Sequence, residues 1–274
     1  MSSTVPESVT HFDVSRPNVA RVYDVLLGGK DNFAADREAA GQLLDAVPDA
    51  AVAARENRAF LSRAVRFLCQ VARIRQFLDL GAGLPAAGAV HEMTEGAVPP
   101  AQVVYADNDP MVLRHAEALI SGQMWAEAVH ADLRQPRLLL TQPAVQRLIN
   151  MAEPVAVLLV AVLHFLEEAD DPYPVVDYLK DQIAPGSYVV ISHVTADHIP
   201  AEAASRARKV YEGASAPGVT RTRAQIARFF GGLSMVSPGL VNICEWRPAH
   251  VGPVPGPTLL YAGIGCKTSG GRPR

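Results

Sequence analysis

The sequence predicts an α/β protein with a doubly wound, mostly parallel sheet preceded by a helical cap. Three observations predict it. From Ile74 onward, short apolar runs at residues 76–80, 103–106, 155–163 and 188–192 each give way to turn residues and then to a helical segment. Strands that alternate with helices pack as a parallel sheet covered on both faces. A glycine turn, Asp79-Leu80-Gly81-Ala82-Gly83-Leu84-Pro85, follows the first run directly, and acidic residues, Asp107 and Asp132, follow the second run and a third short strand around residue 129.

Length and composition agree with this class. The chain has 274 residues, enough for one large α/β domain or two small ones, and 49% of them are apolar, enough for a sizeable core. A formal net charge of −3 gives no global electrostatic ground for a nucleic-acid partner. The three cysteines, Cys69, Cys244 and Cys266, form no Cys-x-x-Cys pair. Neither a disulfide framework nor a metal site is therefore expected. The N-terminus is polar, and the longest apolar stretch, residues 155–163, is too short to cross a bilayer. The expected compartment is the cytoplasm, with no membrane partner.

The elements follow in order. Residues 1–17 read as a loosely ordered lead-in, residues 18–27 as a short helix, and Gly28-Gly29-Lys30-Asp31-Asn32 as a turn. Helical spacing resumes over residues 33–47 and stops at Pro48. A long amphipathic helix is expected over residues 50–72, with Phe60, Leu61, Ala64, Val65, Leu68 and Val71 on its apolar side. Arg55, Arg58, Arg63, Arg66 and Arg73 then fall on a solvated face. Residues 1–73 thus form an N-terminal helical cap or lid, and residues 74–267 the core. A helical insertion is expected near residues 200–235, broken around residues 213–218. Two strands close the core over residues 240–267, joined by the Pro/Gly-rich residues 248–257, and residues 268–274 are a disordered tail.

Glycines after a strand let a ligand approach the backbone where a side chain would block it, and the next helix offers free N–H groups. Such a turn is weak by itself, but two acidic positions reinforce it. Asp107, at the end of the second strand with Asn108 beside it, suits a ribose diol, whereas Asp109 before Pro110 suits a helix cap. Asp132 suits an adenine amino group, and Leu133 offers apolar surface or a backbone N–H. Three such signals in this order point to a nucleoside cofactor on a Rossmann-like fold. A carboxylate at Asp79 would repel a pyrophosphate but favours the ammonium and sulfonium of S-adenosylmethionine. The position of a third glycine is taken by Ala86. S-adenosylmethionine is the expected cofactor, bound by Asp79, Gly81, Ala82, Gly83, Asp107, Asn108, Asp132 and Leu133.

These residues resemble the motifs of class I S-adenosylmethionine-dependent methyltransferases. The whole chain resembles, more narrowly, an actinobacterial S-adenosyl methyltransferase family once catalogued as a domain of unknown function. That resemblance runs through residues 16–24 and 27–36, with Arg16, Pro17, Asn18, Tyr23, Gly28, Gly29, Lys30 and Asn32, and continues through Asn57, Arg58, Phe60, Leu61 and residues 66–68. It implies a seven-stranded sheet whose last strand is antiparallel, with residues 240–246 and 258–266 as its terminal pair. It implies methyl transfer and no particular acceptor.

Methyl transfer is an in-line displacement that needs positioning and exclusion of water more than a special catalytic group. Where a base helps, His164 after the run at residues 155–163 and His193 after the run at residues 188–192 are the catalytic candidates. Tyr23, Lys30 and Asn32 are candidate lid or substrate contacts. Other readings are a non-catalytic protein that binds S-adenosylmethionine or S-adenosylhomocysteine, and an NAD-dependent oxidoreductase. Nucleic-acid methylation would require the arginine face to border the cleft. The acceptor is expected to be a small molecule; the sequence specifies neither it nor the oligomeric state.

Overall fold

A computed structural model of the protein describes residues 13–85, 88–97, 99–195, 197–248 and 258–269. Ala86, most of the lead-in, most of the Pro/Gly-rich residues 248–257 and the end of the tail lie outside the described residues. Three helices come first: α1 (Val19–Leu26), α2 (Ala34–Ala46) and α3 (Ala50–Gln70). Asn18 caps α1 by accepting from the Ala20 and Arg21 N–H groups, which satisfies donors the helix cannot use itself. Then come β1 (Gln76–Leu80), α4 (Val90–Met93), β2 (Gln102–Asp107), α5 (Pro110–Leu119), β3 (Ala126–His130), α6 (Pro136–Leu140) and α7 (Pro143–Leu148). The second half holds β4 (Ala156–Val160), α8 (Pro172–Gln182), β5 (Tyr188–Val194), α9 (Ala201–Glu212), α10 (Arg223–Arg228), β6 (Ser234–Met235), β7 (Val241–Asn242) and β8 (Leu260–Cys266).

The sheet order is β3-β2-β1-β4-β5-β8-β6, with β7 also on β8. The first five strands are parallel, and β8 runs antiparallel to β5. Side chains alternate across it as strand geometry requires. Leu78, Val104, Val157 and Val189 pack on one face with α7, α8 and α10, while Phe77, Val103, Ala156 and Val190 pack on the other beneath α3. Both faces are therefore buried, which explains the continuous apolar runs of the central strands.

Among the described residues the sheet has eight strands where seven were expected. The additional strand is β6, at residues 234–235; it and β7, which is what remains of the expected run at residues 240–246, are each two residues long and pair with β8. The run at residues 240–246, expected as one strand, leaves the sheet after Asn242 and turns into a 3-10 helix at Ile243–Glu245. The reason is Trp246: it is fully buried, with its ring edge-on to Phe60 of α3 at 5.3 Å between centroids. Consecutive apolar residues here serve one core face, so the pattern does not alternate. The run expected over residues 155–163 also stops early. β4 ends at Val160, because Ala161 adopts φ 56° and turns the chain into a 3-10 turn at Leu163–Phe165.

The helices before the sheet join the later insertion. Val22 and Leu26 of α1 and Ala39, Ala40 and Leu43 of α2 share a core with Ala203, Ala207, Val210 and Tyr211 of α9. The four α9 residues recur at helical spacing, which gives that otherwise polar helix a single apolar stripe.

Candidate functional site

Strand order reverses between β1 and β4, and a crevice opens beyond their carboxyl ends, as it does at the switch point of an open α/β sheet. The turn after β1 forms its floor. Gly81 and Gly83 have φ of 70° and 66°, a region that other residues enter at a cost. A Cβ on Gly81 would also collide with the Val162 side chain, whereas one on Gly83 would meet no atom within 4 Å. Gly81 is needed for close packing of two chain segments, and Gly83 leaves space where a ligand can approach the backbone.

The ladder carries the acids to one level. Gly81 N–H donates to Ala106 C=O at 2.8 Å, and Ala131 N–H to Asp107 C=O at 2.9 Å. Asp79, Asp107 and Asp132 consequently line a single cavity of about 550 Å³ together with Gly81, Ala82, Gly83, Asn108 and Leu133. The structure thus brings all eight sequence-derived cofactor positions together.

Asp107 is buried, and each of its oxygens already accepts one backbone N–H: Oδ2 from Gly83 and Oδ1 from Asp109, both at 2.9 Å. A carboxylate has about four acceptor positions, so about two remain for a ligand. Burial pushes Asp107 up to about 6, against the pull of those N–H groups. Asp79, also buried, is pushed up to about 7 by burial; Arg58 opposes the shift and Asp107 adds to it. Asp109 caps α5, accepting from Met111 N–H at 2.7 Å. Asp132 differs from the other two. Burial raises it, but hydrogen bonds from the Arg134 side chain and backbone outweigh burial and hold it below its ordinary value.

The mouth is crossed by a strap. Arg16 reaches the carbonyls of Gly213 and Ala214, and Ser215 N–H donates to Pro17 C=O at 2.9 Å. Behind it, the buried Arg21–Asp36 pair (2.8 Å) ties α1 to α2, and Asp36 also accepts from Asn18 and Phe33 N–H. A buried pair satisfied on all sides holds geometry, because losing either partner strands the other.

A family model described as S-adenosyl methyltransferase matches residues 6–268. The chain belongs to this family. A Thermobifida fusca YX protein, provisionally described as a methyltransferase, is 40% identical, with TM-score 0.87 over 98% of this chain and 100% of that one. A DUF574 family protein from Streptomyces avermitilis MA-4680 is 33% identical, with the same TM-score over 93% and 99%. The CurJ carbon methyltransferase, 14% identical, with TM-score 0.54 over 81% of this chain and 56% of that one, shares the fold. Among the curated proteins compared, none matches.

The methyltransferase places the other sequence candidates unequally. Tyr23 lines the cavity, but Lys30 is exposed away from it. Asn32 turns inward to Asp24 Oδ2 at 2.8 Å and does not line the cavity either. The cover is built from the start of α1 and the segment before it, because the glycine turn at residues 28–32 closes on Asp24 instead.

The two histidines lie behind the wall, and neither lines the cavity. His193 is fully buried. Its Nδ1 pairs with Val194 C=O at 2.7 Å, and Arg221 donates to its Nε2 at 2.9 Å. This fixes the tautomer and occupies the lone pair a base would use. His164, buried beside it, is depressed to about 3 by burial and by Arg221. The sequence placed His164 at the site because β4 was read three residues too long; the left-handed Ala161 turns it away, and Phe165 lines the cavity instead.

Sequence reasoning missed Asn57 and Arg58, both in the wall. Arg58 is no solvated residue: it donates to Gly88 C=O at 2.9 Å. Arg63 likewise reaches Ile243 and Trp246 carbonyls, while Arg55, Arg66 and Arg73 are exposed. A signal for Asn57 was present, since it sits three and four residues before Phe60 and Leu61, on the apolar side of α3.

The raised carboxyls give the methyltransferase a testable pH dependence. If Asp79 and Asp107 hold a cationic ligand they must be ionised, and S-adenosylmethionine affinity should then rise by on the order of tenfold from about pH 5 to about pH 8. Stability of the ligand-free protein should move oppositely. Unfolded, these groups ionise near 3.8, and folded near 7 and 6. In between, the folded state holds protons the unfolded chain has lost, and stability falls as pH rises through that window. Calorimetry and thermal melting across pH check both signs; an affinity that is flat or falls with pH would refute the roles of these carboxylates.

Proposed function

We propose that this methyltransferase holds S-adenosylmethionine across the β1 and β2 ends and delivers the methyl group to a small-molecule acceptor. The observation that carries this reading is the pair of buried carboxylates, Asp79 and Asp107, beside the open space at Gly83. Asp107 takes the ribose hydroxyls on its two spare acceptor positions, and Asp79 faces the ammonium. Asn108 and Leu133 flank the adenine; Asp132, held by Arg134, borders it. S-adenosylmethionine, when bound, supplies a methyl carbon activated by its sulfonium.

The chain's own residues exclude water and orient. Tyr23, Val19 and Ala20 of α1 cover the cavity while Val162 and Phe165 wall its far side. The strap between residues 16–19 and 213–215 supports an acceptor of small size, since a macromolecule would have to displace it. Neither imidazole faces the cavity, which suits an acceptor that is already nucleophilic or loses its proton to solvent or a wall carboxylate. Residues 1–73 act as the cap and residues 74–267 as the catalytic core. Three free thiols support a cytoplasmic setting.

Calorimetric titration tests the cofactor: S-adenosylmethionine and S-adenosylhomocysteine should bind and NAD should not bind comparably. Tighter NAD binding would overturn the proposal. If the cofactor binds but no methyl transfer occurs across a broad panel of amines, phenols and thiols, the non-catalytic reading gains ground.

A further inference from the structure

One chain of hydrogen bonds runs under the cavity and joins parts of the molecule far apart in sequence. Tyr23 OH of α1 donates to Ala54 C=O at 3.0 Å and accepts from Asn57 Nδ2 of α3 at 2.9 Å. Asn57 Oδ1 accepts from Ser192 Oγ of β5 at 2.5 Å. Ser192 Oγ in turn accepts from Ala161 N–H, just past β4, at 2.9 Å. Every proton has one direction along this chain. Ser192 has a single hydroxyl proton, which goes to Asn57; the Asn57 amide must then turn its NH2 to Tyr23; and Tyr23 must send its own proton to Ala54.

The two middle members are closed off from solvent: Asn57 is 2% exposed and Ser192 0%. Tyr23, Asn57 and Ala161 all line the cavity where the ligand would be, and Ser192 lies behind them. Ala161 is also strained, at φ 56°. An alanine stays in that region only when its surroundings hold it there, and such strain gathers at binding sites. The bond to Ser192 is one such restraint. It decides where Val162 and Phe165 go, and therefore the shape of the wall facing the α1 cover.

We infer that Ser192 is a positioning residue: it locks the α1 cover, through Asn57 and Tyr23, and the far wall, through the Ala161 peptide, into one unit that takes up the cofactor-binding geometry together. This rests on the proposed cofactor site. Tyr23, Asn57 and Ala161 touch the ligand space; Ser192 acts through them.

The test is a double-mutant cycle read by calorimetric titration with S-adenosylmethionine, with thermal melting to confirm that each variant folds. Tyr23→Phe removes one oxygen from a half-buried ring, and Ser192→Ala one buried hydroxyl. Singly they should weaken binding about 5-fold and about 10-fold; together they should weaken it about 10-fold, not the roughly 50-fold of independent sites. A packing role alone would give the product. Ala161→Gly supplies a second readout. Glycine adopts the left-handed backbone without help, so adding it to Ser192→Ala should recover most of the lost affinity. Multiplicative losses, or no recovery by Ala161→Gly, would overturn the positioning role while leaving the cofactor site standing. Failure of the unaltered protein to bind S-adenosylmethionine would overturn the cofactor site and the positioning role with it.

Discussion

Replacing Asp107 with alanine should weaken S-adenosylmethionine binding by on the order of 100-fold, about 3 kcal/mol. Two losses combine. The ribose hydroxyls lose the charged acceptors proposed for them, whose hydrogen bonds are stronger than neutral ones. The Gly83 and Asp109 N–H groups lose the same carboxylate, so the glycine turn and the start of α5 are no longer tied together. Asp107→Asn keeps the shape and one acceptor oxygen and should lose about tenfold. Asp109→Ala is the control: it removes the cap on Met111 N–H, which should lower stability by about 1 kcal/mol and spare affinity. Titration and thermal melting on the three variants decide. Normal binding by Asp107→Ala, with binding abolished in Asp109→Ala, would reverse the two roles.

The largest effect on stability is expected at Arg221. Its side chain is 1% exposed and donates to Leu163 and Leu166 carbonyls, to His193 Nε2 and to Glu168. Arg221→Met fills similar volume but leaves three buried acceptors without donors, and it should cost about 3–5 kcal/mol. Arg221→Lys should recover only part, because an ammonium cannot reproduce a planar fork that reaches several acceptors at once. Urea unfolding of each variant checks this through the midpoint, with the slope expected to hold. A cost under about 1 kcal/mol would mean that water replaces the guanidinium. Leu163 and Leu166 flank Phe165, so the same variant should also loosen the cavity wall and reduce cofactor affinity.

These two residues show what could be read in advance. Asp107 was legible because the signal is local: a strand, a carboxylate at its end, and a glycine turn two dozen residues earlier. Parallel pairing then forces the ends of β1, β2 and β3 to one side, and the carboxylates must converge. Arg221 was not legible. Its partners come from the turn after β4, the next turn and β5, and nothing in the residues around it announces them. His164 failed for a related reason. Its nearness to an apolar run was visible, but the direction of the chain after β4 depends on one left-handed residue, Ala161, held from β5 and α3.

By itself the sequence determined the alternation of strands and helices, the parallel sheet, the glycine turn and the acids at the strand ends, because periodicity and turn chemistry act over a few residues. Only the tertiary structure decided which residues face the cavity from outside that core. The strap from residues 16–19 to 213–215, the Tyr23–Asn57–Ser192–Ala161 chain and the burial of both histidines behind the wall each join segments tens to hundreds of residues apart. No local pattern encodes such pairings; they arise when the helices before β1 close against α9 over one shared apolar core and bring the polar groups they carry within hydrogen-bonding distance.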